Sequence, residues 1–337
     1  MGDDQSGDTL RARAGESRTK LWFLLEADRR LVVAGLVVVT FLALFVAGTY
    51  LPGAEETLRE SDSVDTLFQG LLTATITGVT LVLTLNQLVL SQELGPLGDQ
   101  RDRMRGALDF REDAAEILGA PVSPARPSEF LRSLVELAGQ RARALGETVE
   151  DGDDGSDAVR ALTETLTENA TQVADDLHGA QFGEFDVLSA ALDFDYSWKL
   201  FTARRIRNRY DVSEETRDAL DRLVDTLELF GPAREHFKTL YFQWELIALS
   251  GSILAVTVPA LLVAACMIAF FDPTSYPGVL VPVVALATTV SVLPFLVLLV
   301  YVIRIATVAK HTLSIGPFIL QEAEGIEEVS WADDESR

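Results

Sequence analysis

Four long apolar runs dominate the hydropathy pattern of the chain. Leu31 to Leu51 is 21 residues without a charged side chain, and uncharged stretches follow at Leu67 to Leu90, Leu246 to Phe271 and Gly278 to Ile303. A helix rises 1.5 Å per residue, so about 20 such residues cross the roughly 30 Å hydrocarbon layer of a bilayer. Buried helices of soluble domains are apolar over shorter stretches, and nothing here alternates with the period of two that a membrane barrel requires. Backbone groups in lipid must bond within their own segment, so the four runs are expected to be transmembrane helices. A cleaved signal peptide, the rival for the first run, has a shorter apolar core and a shorter leader than these 30 residues.

Between the second and third runs the pattern changes to amphipathic helices. Leu108 to Leu118 is a short piece, stopped by Gly119 and the prolines at 121, 124 and 127. Ser128 is placed to cap the next helix, whose stripe is Phe130, Leu131, Leu134, Leu137, Ala138 and Leu145. After a loop at Glu150 to Asp157, Ala158 to Leu177 repeats the pattern, and Phe182 to Arg209 reads as one aromatic-rich helix. Asp211-Val212-Ser213-Glu214 offers a capping box, Gly231-Pro232 a break or kink, and Ala233 to Phe271 a single rod running into the membrane. The expected fold is all-α: four transmembrane helices in two hairpins, with a helical domain inserted between them. The divisions are a charged leader (1–30), hairpin 1 (31–92), the helical domain (93–240), hairpin 2 (241–305) and an acidic tail (306–337).

Charge sets the orientation. Arg29, Arg30, Arg101, Arg103, Arg105, Arg234, Lys238, Arg304 and Lys310 flank the ends that would face the middle domain and the termini, whereas the two short connections carry only Arg59. Cationic flanks stay inside, so both termini and the middle domain are expected in the cytoplasm of a multi-pass cell-membrane protein. The formal charge is -23, with 51 acidic residues against 24 Arg and only 4 Lys. So acidic a surface argues against nucleic acid as a partner, because Lys and Arg carry that binding. Repulsion of this size is screened in molar salt, where the Debye length is about 3 Å. Four spans, a helical inner domain and an acid-rich, Lys-poor composition resemble uncharacterised integral membrane proteins of haloarchaea; the resemblance implies a habitat and transfers no functional residue.

Candidate chemistry is confined to a few places. Gln69, Thr73, Thr77, Thr80, Thr84, Gln87 and Ser91 recur at steps of three and four and therefore share one face of the second span. Gly70, Ala74 and Gly78 run beside them, a small-residue strip suited to close helix packing. The face fits either a packing seam, with each hydroxyl returned to its own helix, or the wall of a hydrated path. Pro259, Pro282 and Pro294 are candidate hinges, and Arg204, Arg205, Arg207 and Arg209 form a basic cluster for an anionic lipid or ligand, unless nearby carboxylates absorb it.

No charged residue lies deep in a span, which argues against a proton- or ion-coupled pump. The three histidines are scattered, Cys266 stands alone, and the Asp151 to Asp157 loop lacks the spacing of a calcium site, so neither metal, cofactor nor catalysis is expected. The sequence therefore points to an oligomeric channel or pore lined by the second span and gated by the inner domain. The alternative is a non-conducting sensor or scaffold whose polar face is an assembly interface. The expected partners are the lipid bilayer and further copies of the chain; any soluble partner is left open.

Overall fold

A computed structural model describes residues 28–60, 62–93, 95–150, 152–180, 185–275 and 278–313. The leader before residue 28 and the tail after 313 lie outside the described residues. Among those described there is no strand. The helices among the described residues are α1 (Arg29–Tyr50), α2 (Ala54–Glu60), α3 (Ser63–Glu93), α4 (Leu97–Leu118), α5 (Pro127–Glu147), α6 (Ser156–Leu177), α7 (Phe185–Asp193), α8 (Tyr196–Arg209), α9 (Glu214–Phe270) and α10 (Leu280–Leu313), with a 3-10 turn at Pro273–Ser275. Four of them, α1, α3, α9 and α10, are long and apolar enough to cross a membrane. The described chain divides into two compact units: residues 97–241 with 308–313, and residues 28–96 with 242–307.

The first unit is a helical domain built on interlocking stripes. Helix α5 buries Leu131, Leu134, Ala138 and Leu145, while α6 buries Val159, Leu162, Leu166, Val173 and Leu177, the three- and four-residue steps of a core-facing helix. The two helices approach closely, since a Cβ on Gly139 would stand 3.1 Å from that of Ala170. The first half of α9 closes the core with Leu220, Leu223, Leu227 and Phe230. Arg141 stitches the helices together: its guanidinium donates to Thr226 Oγ1 at 2.6 Å, to the Arg222 carbonyl, and to the Ile117 carbonyl at the end of α4. Burial lowers the pKa of this guanidinium, with Asp225 opposing the shift.

Several boundaries differ from the sequence expectation, each for a local reason. The aromatic segment is two helices, α7 and α8, because Phe194 turns into the core against Phe230, with ring centroids 4.8 Å apart, and Asp195 then caps α8 by accepting from the Trp198 amide at 3.4 Å. Helix α9 continues through Gly231-Pro232 without a break. There glycine serves contact rather than chain reversal, since a Cβ would lie 2.8 Å from Tyr196 Cε2. The cap of α9 is Ser213, whose Oγ accepts from the Thr216 amide at 3.1 Å. Pro127 opens α5 at its first turn, leaving Ser128 buried rather than capping. Helix α4 begins eleven residues earlier than the apolar pattern marks, at Leu97.

The second unit packs α1, α3, the second half of α9, and α10. Toward the end that carries α2 and the 3-10 turn, Val64 and Phe68 of α3 meet Ala264 and Met267 of α9 and Leu280, Val284 and Ala287 of α10. Toward the other end Val82, Leu249, Ile253, Val297 and Tyr301 form a second apolar layer. Helix α1 buries no residue fully and is seated closely at Gly48, where a Cβ would come 2.6 Å from Val281 Cγ1.

The turn between α9 and α10 is organised by Asp272. Its carboxylate accepts from the Thr274 amide at 2.9 Å, from Thr274 Oγ1 at 2.8 Å and from Ser275 Oγ at 2.9 Å. These bonds, the Thr274 amide foremost, hold the carboxyl below its ordinary value. A depressed folded pKa contributes stability that is complete above the unfolded value of about 3.9 and is lost as pH falls through the lower folded one. In a carboxyl NMR titration, Asp272 should titrate below the ordinary aspartate value of about 3.9, and Thr274→Val, which removes the hydroxyl bond but keeps the amide one, should move it partway back. An Asp272 that titrates at the ordinary value in the unmodified protein would contradict this account of the turn.

Candidate functional site: the polar face of the second membrane helix

Helix α3 carries polar residues on two sides, and the two sides have different fates. Phe68, Thr75 and Val82, seven residues apart, are buried among the neighbouring helices. Gln69, Thr73, Thr77, Thr80, Thr84, Gln87 and Ser91 are all exposed, so the unit to which they belong does not cover them. The hydroxyls are nonetheless bonded. Thr73, Thr77, Thr80 and Thr84 each donate to the carbonyl four residues back at 2.8 to 2.9 Å, and Ser91 donates to the Leu88 carbonyl at 2.7 Å. Such back-bonding lets threonine sit in apolar surroundings at small cost. The Gln69 and Gln87 side chains are too long for that arrangement, and each amide presents two donors and an acceptor near an end of the span.

The small-residue strip is divided. Gly78 packs inside its unit, with a Cβ position 3.3 Å from Phe295 Cε1, whereas Gly70 meets nothing within 4 Å and Ala74 is exposed. Gly70 and Ala74 therefore leave an open shelf beside Gln69, Thr73 and Thr77, where another helix can approach closely.

The interior holds a second set of polar groups. Thr75, Thr257, Thr288, Thr289 and Ser291 are buried at positions between the two apolar layers. Thr257 and Thr289 donate to carbonyls four residues back, at 2.7 Å each, while Thr288 Oγ1 and Ser291 Oγ lack a hydrogen-bond partner among the described residues. Pro294 follows within α10 and has no N–H to offer the Val290 carbonyl, so hydrogen-bonding capacity collects at this level. Apolar side chains close it on both sides, so these hydroxyls do not line a through-path.

Sequence reasoning misses a polar knot at the end of the unit where α1 begins. Glu245 is completely buried and accepts from Arg29 Nη2 at 2.6 Å. The Arg29 guanidinium lies 5.2 Å from the centre of the Tyr301 ring, and the Tyr301 hydroxyl is 3.1 Å from Ser252 Oγ. Arg304 is also buried in this unit. In the sequence Arg29 and Arg304 serve only as flags of orientation. Glu245, one residue before the apolar run, gives no signal there beyond its charge.

Pro259 and Pro294 lie inside uninterrupted helices. Pro282 occupies the first turn of α10, where its missing N–H would have had no helical acceptor, so its chemistry does not call for a bend. In the basic cluster, Arg204 pairs with Glu228 and Arg207 with Asp221, while Arg205 is half-buried and Arg209 exposed. Those partners come from α9, not from the aspartates nearest in sequence. A cleft of about 830 Å³ beside α2 is lined by Thr49, Gly53, Glu55, Arg59 and Pro282, and Arg59 there is occupied by Glu55 at 2.6 Å. Among the described residues no group of His, Cys, Asp or Glu is disposed to hold a metal ion.

No curated protein and no solved structure matches the chain. The model of a family of unknown function, DUF7972, matches residues 1–333, spanning both units and the four membrane-compatible helices together. On that match the protein belongs to the DUF7972 family.

Proposed function

We propose that the protein is an oligomeric channel or pore in the cell membrane, with the polar face of α3 turned toward a central path and the 93–240 domain acting as its gate. The carrying observation is that seven hydroxyl and amide side chains on α3 are exposed while the unit's own interior is closed by apolar layers. A hydrated route through one copy has no lining, so the route is built between copies around an axis. In this reading the four spans form two hairpins, and the basic flanks keep both termini and the inserted domain in the cytoplasm. Helix α9, which contributes residues to both units, supplies the coupling between gate and path.

A second reading has its own support: every threonine hydroxyl on the face is already bonded to its helix, which suits a dry assembly seam in a non-conducting sensor or scaffold. Thr80→Leu separates the two. In liposomes at molar salt, a path loses ion flux while cross-linking and mass measurements still report the oligomer. A seam loses the oligomer itself, and unmodified oligomer that is silent to every small ion overturns the channel.

A further inference from the structure

Helix α4 has a side that the rest of its own unit does not cover. From Leu97 to Asp109 every residue is exposed, and only at Phe110 and Ala114 does the helix turn into its domain, with the Phe110 ring 6.0 Å from that of Phe130. Three large apolar residues stand in the exposed stretch: Leu97 is 82 % exposed, Met104 63 % and Leu108 53 %. At about 100° per residue these three share a sector about 40° wide. Arg101 and Arg105 flank that sector on one side. Asp99, Asp102 and Asp109 fall on the far half of the helix, at least about 120° from the sector's centre. Arg103 lies on the side of Phe110 and Ala114.

The segregation is specific. In a chain of formal charge -23, this stretch sets two arginines against its apolar stripe and turns its three carboxylates away. These turns precede the part of α4 that packs on its domain, so that domain leaves the apolar sector without a cover. Three side chains make far less than the roughly 800 Å² per partner of a stable protein interface, but a helix lying in lipid headgroups needs only a shallow apolar face and adjacent cations. Only three residues, 94–96, separate Leu97 from the end of α3, a membrane-compatible helix.

We infer that the first three turns of α4 form an interfacial helix on the bilayer surface where α3 ends, recognising anionic phospholipid. Leu97, Met104 and Leu108 enter the boundary between headgroups and acyl chains, Arg101 and Arg105 bind lipid phosphates, and the three aspartates face water. The inference holds whether or not the protein conducts.

The test uses the full chain with Cys266→Ser, reconstituted in nanodiscs and carrying a fluorophore on Met104→Cys, Leu108→Cys or Asp102→Cys. All three sites are exposed, so labelling leaves the fold intact. Lipid-borne nitroxides should quench the labels at 104 and 108 by about threefold more than the label at 102. Replacing phosphatidylglycerol with phosphatidylcholine, or introducing Arg101→Glu with Arg105→Glu, should remove most of that excess, because each arginine beside an anionic surface strengthens attachment by about fivefold. Equal quenching at 102 and 104, or quenching indifferent to lipid charge, overturns the assignment. So does a label at 104 that escapes lipid quenchers and shows dipolar coupling to a second copy, which would make the stripe an interface between protomers.

Discussion

Arg29→Leu is expected to destabilise the membrane-compatible unit by about 3–5 kcal/mol, the usual cost of removing one partner from a buried ion pair. Glu245 has no exposed surface, one carboxylate oxygen is held by Arg29, and the other has no hydrogen-bond partner among the described residues. Removing the guanidinium leaves the Glu245 carboxylate in a low-dielectric site without its ion-pair partner. The same deletion also removes the cation above the Tyr301 ring. The double replacement Arg29→Leu with Glu245→Leu should recover most of the loss, because a pair exchanged for apolar side chains of similar volume is often neutral. Denaturation in mixed micelles, read by tryptophan fluorescence, measures both variants. A double variant no more stable than the single one would show that the charge balance at this knot is not what holds α1.

Phe194→Ala should cost the helical unit a comparable amount, about 3–5 kcal/mol. Its ring is fully buried, packs edge-on against Phe230 and lies 5.0 Å from Lys199 Nζ, itself a fully buried cation. Truncation opens a cavity and withdraws the aromatic face from the ammonium, and burial makes that interaction worth more than at a surface. Phe194→Leu, which fills most of the space but offers no ring, should restore the packing part only. The loss that remains in Phe194→Leu relative to the unmodified protein in a thermal melt therefore reads the interaction between ring and ammonium, and a Phe194→Leu variant that melts with the unmodified protein would rule it out.

The membrane-compatible helices are legible because hydropathy over 20 residues is a bulk property that needs no knowledge of neighbours. The face carrying Thr73 to Thr84 is equally legible, since helical period alone gathers those side chains. What the period cannot supply is the neighbour, so the sequence does not assign that face to the interior or the exterior of the unit. The interior threonine of α3, Thr75, stands between members of the outer set and is masked by them; its only trace is the seven-residue spacing with Phe68 and Val82. Glu245 is invisible for a related reason, because its partner lies 216 positions away and pairing at that separation leaves no local pattern. Gly231-Pro232 misleads in the opposite direction, since the same dipeptide that punctuates loops here admits the Tyr196 ring against an unbroken helix. At Phe194-Asp195 a continuous aromatic stripe conceals a turn held by one carboxylate.

Helix α9 passes from residues of one unit to residues of the other at Tyr241 and Phe242 with no linker between them. Helical order is cooperative, each residue depending on hydrogen bonds to the turns beside it, so melting that starts on one side of that boundary frays the first turns on the other. The backbone should consequently stay protected across that boundary, and proteases should find no preferred cut at the division.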